Sequence, residues 1–206
     1  MIKSFNLKKT INNNVILNNR SDIFHAGSIN CLWGDSGSGK STYLSLIARI
    51  NSLTEGIILF NDENINTFNF DYYMLKICGY INQNPYLPSE FTLKDLYESQ
   101  ILLLKKYTNK KYNYINFCEN LGIEKYLNQY PQNLSGGQRY RASLILSLIG
   151  EKKIILIDEP TAHLDEIMSF KVINLLKEYT KTNQSVCIIS THDNYIKDKS
   201  DFLIKI

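Results

Sequence analysis

Short apolar runs alternate along this chain with longer stretches whose apolar residues recur every three or four positions. Ile154, Ile155, Leu156 and Ile157 are contiguous, a run of strand length that fits a parallel strand covered on both faces. Residues 28–33, 56–60, 79–81, 186–189 and 202–206 read as further strands. Between them, Tyr43, Leu44, Ile47 and Ile50 predict a helix over 40–50, and Leu93, Leu96, Tyr97, Ile101 and Leu104 mark another. Residues 140–149 are apolar enough for a packed helix, and Ile167, Phe170, Ile173, Leu176 and Tyr179 predict an amphipathic one over 166–182. The middle third, 92–130, reads as wholly helical. Strands alternating with helices imply an α/β fold with a mostly parallel sheet. No internal repeat, coiled-coil heptad or low-complexity linker interrupts the pattern.

Length adds one constraint: 206 residues suffice for one domain, expected here as 1–206 with a helical insertion at about 84–150. Charge adds little, because 23 basic against 20 acidic residues leave a net of +3, too small to draw nucleic acid or anionic lipid by itself. Residues 1–14 are polar and no run approaches bilayer length, so a cytoplasmic protein is expected. Cys31, Cys78, Cys118 and Cys187 are isolated, with no C-x-x-C pair, which argues against zinc or a disulfide framework.

The chemistry is concentrated in two glycine loops. Gly34-Asp35-Ser36-Gly37-Ser38-Gly39-Lys40-Ser41-Thr42 satisfies G-x-x-x-x-G-K-[ST] between a predicted strand and a predicted helix. Its glycines let backbone N–H groups turn inward around a phosphate, and the helix start adds positive potential. Lys40 supplies a charge suited to β- and γ-phosphates, and the Ser41 hydroxyl can ligate Mg²⁺. The second loop is Leu134-Ser135-Gly136-Gly137-Gln138 at the start of the 140–149 helix. One nucleotide needs one cradle, so a second serine-glycine loop suggests a site shared between two copies.

Carboxylates and a histidine gather at the strand ends. Asp158 and Glu159 close the 154–157 strand at its carboxyl end, where open α/β sheets bind ligands; Asp158 is suited to hold the metal through water and Glu159 to polarise an attacking water. His192 follows the 186–189 strand and is placed to donate to a γ-phosphate, although a lone histidine at a strand end is more often structural. Gln83 follows the 79–81 strand and is placed to reach the metal or the water; taken alone, a plain turn before Pro85 explains it as well.

Taken in order, these motifs resemble the ATP-binding cassette (ABC) family over residues 16–191. Residues 34–41 match its Walker A loop, Gln83 its Q-loop, residues 134–138 its signature, residues 154–159 its Walker B strand, Ala162-His163-Leu164-Asp165 its D-loop and His192 its switch histidine. The resemblance implies the ABC ATPase fold: a P-loop core, a small antiparallel β region and a helical subdomain. It also implies ATP and Mg²⁺ as cofactors, two cassettes joined head to tail as a homodimer or heterodimer, and the signature of one chain meeting the γ-phosphate held by the other. Nucleotide contacts then fall to residues 34–42, Ser135, Gly136, Gly137, Gln138 and Asp165. Lys40, Gln83, Glu159 and His192 would be catalytic, and Ser41, Gln83 and Asp158 would hold the metal. The implied activity is ATP hydrolysis that drives a separately encoded integral membrane permease, with the cassette peripheral on the cytoplasmic face.

The competing expectation is a soluble ABC ATPase acting on nucleic acid or ribosomes, since Lys105, Lys106, Lys110 and Lys111 interleave with Tyr107, Tyr112 and Tyr114. Against it, the interval 84–134 is too short for the coiled-coil arm of the DNA-repair relatives, and the ribosome-acting relatives carry two cassettes per chain. A small-molecule kinase would leave the signature without a purpose. The chain departs from the family pattern at the adenine: counting back from Gly34 reaches Ile11, Phe5 lies farther off, and no aromatic is assigned to stack there. His163 replaces a smaller D-loop residue.

Overall fold

The computed structural model describes residues 1–162 and 164–206; the expected D-loop residue His163 lies outside them. The polar N-terminus is a strand, β1 (Ile2–Ile11), whose Ile2 and Leu7 are buried. Asn12 and Asn13, both at positive φ, turn it into β2 (Asn14–Arg20), as a two-residue hairpin turn requires. After β3 (Ile23–Phe24) come β4 (Ser28–Trp33), α1 (Lys40–Ile47), β5 (Glu55–Phe60) and β6 (Glu63–Asn64). The antiparallel sheet runs β2-β1-β5-β6 with β3 on β1. Helix α1 ends at Ile47 rather than 50, because Arg49 adopts the left-handed region and leaves Ile50 exposed.

Residues Phe70–Tyr72 (α2) lead into a π-helical turn, Tyr73–Ile77, and then β7 (Cys78–Ile81). Helices α3 (Leu93–Leu104), α4 (Ile115–Asn120) and α5 (Gly136–Leu148) separate β7 from β8 (Ile154–Asp158). The chain closes with α6 (Glu166–Asn183), β9 (Val186–Thr191), α7 (Asn194–Lys199) and β10 (Phe202–Lys205). The second sheet is parallel throughout, in the order β10-β4-β9-β8-β7. Every residue of β8 and β9 is buried, and the two-residue period divides them between two cores. Ile154, Leu156, Val186 and Ile188 face Tyr43, Leu44 and Ile47 of α1 together with the antiparallel sheet. Ile155, Ile157, Cys187 and Ile189 belong to the core formed with α5 and α6.

The middle third is not wholly helical, which corrects the expectation for 92–130. Helix α3 starts at a capping box in which Thr92 and Asp95 satisfy each other's backbone N–H groups, and it stops at Leu104. Thr108 then accepts from the Lys110 N–H and Asn113 from the Ile115 N–H, local bonds that compete with helical ones. Only Tyr114 of the aromatic-basic stretch is buried, 5.0 Å from Tyr97; Tyr107, exposed, meets Tyr72 edge-on at 5.2 Å, Lys76 Nζ donates to Tyr112 Oη at 2.8 Å, and Lys110 pairs with Glu151. Helix α6 departs from its expected stripe as well. Ile173, Leu176 and Tyr179 are buried, but Ile167 and Phe170 are 73% and 53% exposed.

Lys152, only 1% exposed, precedes β8 and donates from Nζ to the carbonyls of Met74 (2.6 Å) and Leu75 in the π-helical turn. Burial pushes its pKa from 10.5 down to about 7, opposed by Cys78 and aided by Lys76. The unfolded chain keeps this proton up to about 10.5 while the folded chain releases it near 7, so the lysine's contribution to stability rises with pH between those values. Lys152→Met is expected to remove that rise: urea midpoints at pH 6.5 and pH 9 should diverge less than in the parent chain.

Candidate nucleotide site

The phosphate loop spans the gap from Trp33, the last residue of β4, to Lys40, the first of α1. Gly37 (φ +84°) and Gly39 (φ +101°) hold left-handed conformations that an L side chain rarely adopts, and Gly39 caps α1 with no side-chain hydrogen bond. The helix therefore opens toward the loop with its first N–H groups free of side-chain partners. Lys40 is buried and folds back over the loop, donating from Nζ to the carbonyls of Gly34 (2.7 Å) and Asp35 (2.8 Å).

One cleft of about 360 Å³ brings together Ser36, Gly37, Gly39, Lys40, Ser41 and Thr42 of this loop with Gln83, Glu159, His192 and Ile16. Four segments that carry motifs, and Ile16 from a fifth, thus line one cleft. Asp158, buried at the end of β8, is not among the residues lining the cleft and accepts from the Ser190 hydroxyl of β9. Glu159 adopts a left-handed backbone (φ +48°), uncommon for a non-glycine residue and characteristic of functional sites. Its carboxylate accepts from Thr191 Oγ1 at 3.1 Å and lies 2.8 Å from His192 Nδ1. In this state His192 therefore contacts Glu159.

Ile16, on β2, joins the cleft from the antiparallel sheet. It lines the cleft, whereas Ile11, where counting back from the loop arrived, stands exposed at the end of β1. The contiguous apolar residues Val15, Ile16 and Leu17 of β2 were the available signal, obscured by the asparagines around them.

The second glycine loop lies elsewhere: none of residues 134–138 lines this cleft. Ser135 and Gln138 form a capping box at the start of α5, with the Gln138 N–H donating to Ser135 Oγ at 3.3 Å and the Ser135 N–H to Gln138 Oε1 at 2.8 Å. Ser135 and Gly136 are exposed, Gly137 is half-buried, and Arg139 and Arg141 brace the turn through the Leu134, Gly137 and Leu121 carbonyls. A 13-residue helix thus points its positive end outward. Asp165, also exposed, caps α6 by accepting from the Met168 N–H at 2.7 Å.

Residues 17–162 match the family model described as ABC transporter. This chain belongs to the ABC transporter family. The cassette is 32% identical over 218 residues to the lipoprotein-releasing system ATP-binding protein LolD of Wigglesworthia glossinidia brevipalpis, spanning 100% of this chain and 93% of that protein. LolD of Buchnera aphidicola is likewise 32% identical, over 216 residues, with 100% and 94% covered. The bacterial ABC transporter cassette MJ0796, solved as a dimer, superposes with a TM-score of 0.89 at 25% identity, over 100% of this chain and 94% of that one. The ABC ATPase fold expected from the motifs is therefore the fold observed, and the cassette is an ATP-binding, ATP-hydrolysing subunit. Among the described residues no helix is long and apolar enough to cross a membrane.

Proposed function

We propose that two cassettes, identical or closely similar, clasp ATP head to tail, each completing the other's site, and that their closure drives an integral membrane permease. One observation carries this reading: the chain builds two anion-directed helix starts, at Gly39 and at Ser135, and places only the first in its own cleft. Ser135, Gly136, Gly137 and Gln138 then meet the γ-phosphate bound by the opposite chain. Asp165, also exposed, contributes from the D-loop.

Within each cleft the glycine loop binds the phosphates, and Lys40 exchanges its two carbonyl acceptors for β- and γ-phosphate oxygens. The donor set fits Mg²⁺. Ser41 offers a hydroxyl, Gln83 an amide oxygen and Asp158 a buried carboxylate, while among the described residues no cluster of three or more His, Cys, Asp or Glu exists. Such a set suits a small cation that keeps waters and takes phosphate oxygens, and the ion would neutralise charge on the phosphates. Glu159 orients and deprotonates the attacking water, while His192 changes partner between Glu159 and the γ-phosphate.

The whole chain acts as one unit, with residues 84–150 as its helical insert. A groove of about 430 Å³ beside Gln83, walled by Met74, Leu75, Leu87 and Leu146 and topped by the 80%-exposed Tyr86, is the surface offered to the permease. The cassette would thereby sit peripherally on the cytoplasmic face. Affinity purification from solubilised membranes, followed by mass spectrometry, tests this. A polytopic membrane protein should co-purify and be lost with Tyr86→Asp. Recovery of ribosomes or nucleic acid instead would favour the soluble reading, for which Lys105, Lys106 and Lys111 are exposed while Tyr114 is buried against Tyr97.

A further inference from the structure

Two glycines of the phosphate loop are hemmed in from outside the cleft. Gly34, unlike Gly37 and Gly39, is not at positive φ, so no left-handed backbone calls for glycine there. Space does: a Cβ on Gly34 would stand 2.6 Å from the main-chain oxygen of Ile206, 2.9 Å from Ser38 Oγ and 3.0 Å from Ile206 Cγ2. Ile206 follows β10, and its N–H donates at 3.0 Å to the carbonyl of Trp33, the residue before Gly34. At the far end of the loop, a Cβ on Gly39 would stand 3.1 Å from Leu17 Cδ2 and 3.2 Å from the Ile16 carbonyl oxygen, both of β2.

The two strands that press on the loop belong to different sheets, and each is an edge: β2 of the antiparallel sheet and β10 of the parallel one. Arg20, the last residue of β2, joins them. Its Nη2 donates to the Lys205 carbonyl of β10 at 2.8 Å and to Asp22 Oδ1 at 2.9 Å, and its Nε donates to Asp22 Oδ2 at 3.2 Å. Asp22 in turn accepts from Tyr43 Oη of α1 at 3.0 Å, and Tyr43 is wholly buried. One guanidinium thus links β2, β10 and, through Asp22, the helix into which the loop feeds. Its planar fork of donors suits such a junction.

We infer that Arg20 and Ile206 are positioning residues for nucleotide binding: they close a frame of β2 and β10 behind the phosphate loop, which holds the loop in its binding shape before nucleotide arrives. The inference rests on reading residues 34–42 as the phosphate cradle. The Gly34 and Asp35 carbonyls, on which Lys40 rests, are part of what the frame holds. Without the tie the free loop spreads over more conformations, and binding must gather it again. Bound phosphates then hold the loop themselves, so affinity carries the effect and turnover at saturation does not.

Arg20→Ala and Ile206→Pro test this in the full chain, the second by deleting the N–H that donates to Trp33. Titrated with a fluorescent ADP and Mg²⁺, each should bind about 5- to 10-fold more weakly than the parent, the worth of one hydrogen bond. The kcat for phosphate release at saturating ATP should stay within about twofold. The double variant should bind about as weakly as the weaker single one, since either change alone opens the same frame. Affinities within about twofold of the parent would overturn the inference, and a lowered thermal midpoint beside them would make both residues structural only. Losses that multiply in the double variant, or a kcat reduced as much as the affinity, would overturn it as well. Lys40→Ala, measured alongside, separates the two claims: parental affinity there rejects residues 34–42 as the cradle, whereas weak binding there beside parental binding in Arg20→Ala and Ile206→Pro rejects the frame alone.

Discussion

Glu159→Gln is expected to hold ATP as tightly as the parent chain and to hydrolyse it about a thousandfold more slowly, the middle of the range for loss of a positioned base. The amide keeps the shape of the carboxylate and can still accept from Thr191 Oγ1, so the left-handed turn at the end of β8 should survive. What disappears is the negative charge that attracts a proton from water. It is also a charge that faces the phosphates across the cleft, so its removal leaves binding intact or slightly strengthened. Uncleaved ATP then persists between two chains, and a dimer should accumulate on a sizing column run with Mg²⁺ and ATP. Phosphate release measured on the same sample completes the test; a monomer with unaltered hydrolysis would reject the role of Glu159.

Ser135→Arg should stop hydrolysis without emptying the cleft. Ser135 is exposed and lines no part of the pocket around Lys40, so nucleotide affinity of the single chain should not move. The substitution removes the cap of α5, at a cost of about 1 kcal/mol to the helix. It also sets a long cation where a hydroxyl and a helix start would receive the opposite γ-phosphate. Losing one such preorganised donor is worth ~3 kcal/mol at the transition state, or on the order of 100-fold in kcat. Fluorescent-nucleotide titration and steady-state phosphate release separate the two quantities. Equal turnover would refute a site built from two chains.

Much of this site could be read in the sequence because its constraints are local. The conformations of Gly37 and Gly39 are written in the residue type, and the position of Asp158 follows from an apolar run that must be a buried strand. The same local logic failed where partners distant in sequence decide. The stretch 105–114 looked like a continuation of α3 with a basic aromatic face, yet its shape is set by Tyr72, Lys76 and Glu151, none of which spacing can announce. β1 was hidden because only alternate residues of a sheet strand need be apolar, and the asparagines around it carry the turns. The contact of His192 with Glu159 joins two strand ends that spacing alone cannot pair. Ile167 and Phe170 matched the helical period of α6 but stand on its outer face, since Met168 between them packs on the core and Ser169 is buried. Lys152 is invisible by the same reasoning: a buried ammonium is recognised only once its surroundings are known.

The fastening of the α3–α4 connection to the Phe70–Ile77 segment carries a mechanical consequence. Tyr107 on Tyr72 and Tyr112 on Lys76 moor the helical insert to the same stretch of backbone whose Met74 and Leu75 wall the groove beside Gln83. Tilting the insert therefore tugs that wall, and a load applied to the wall tilts the insert. On the proposed reading, two phenol moorings thus form a lever between the ATP end and the furrow that would receive the permease.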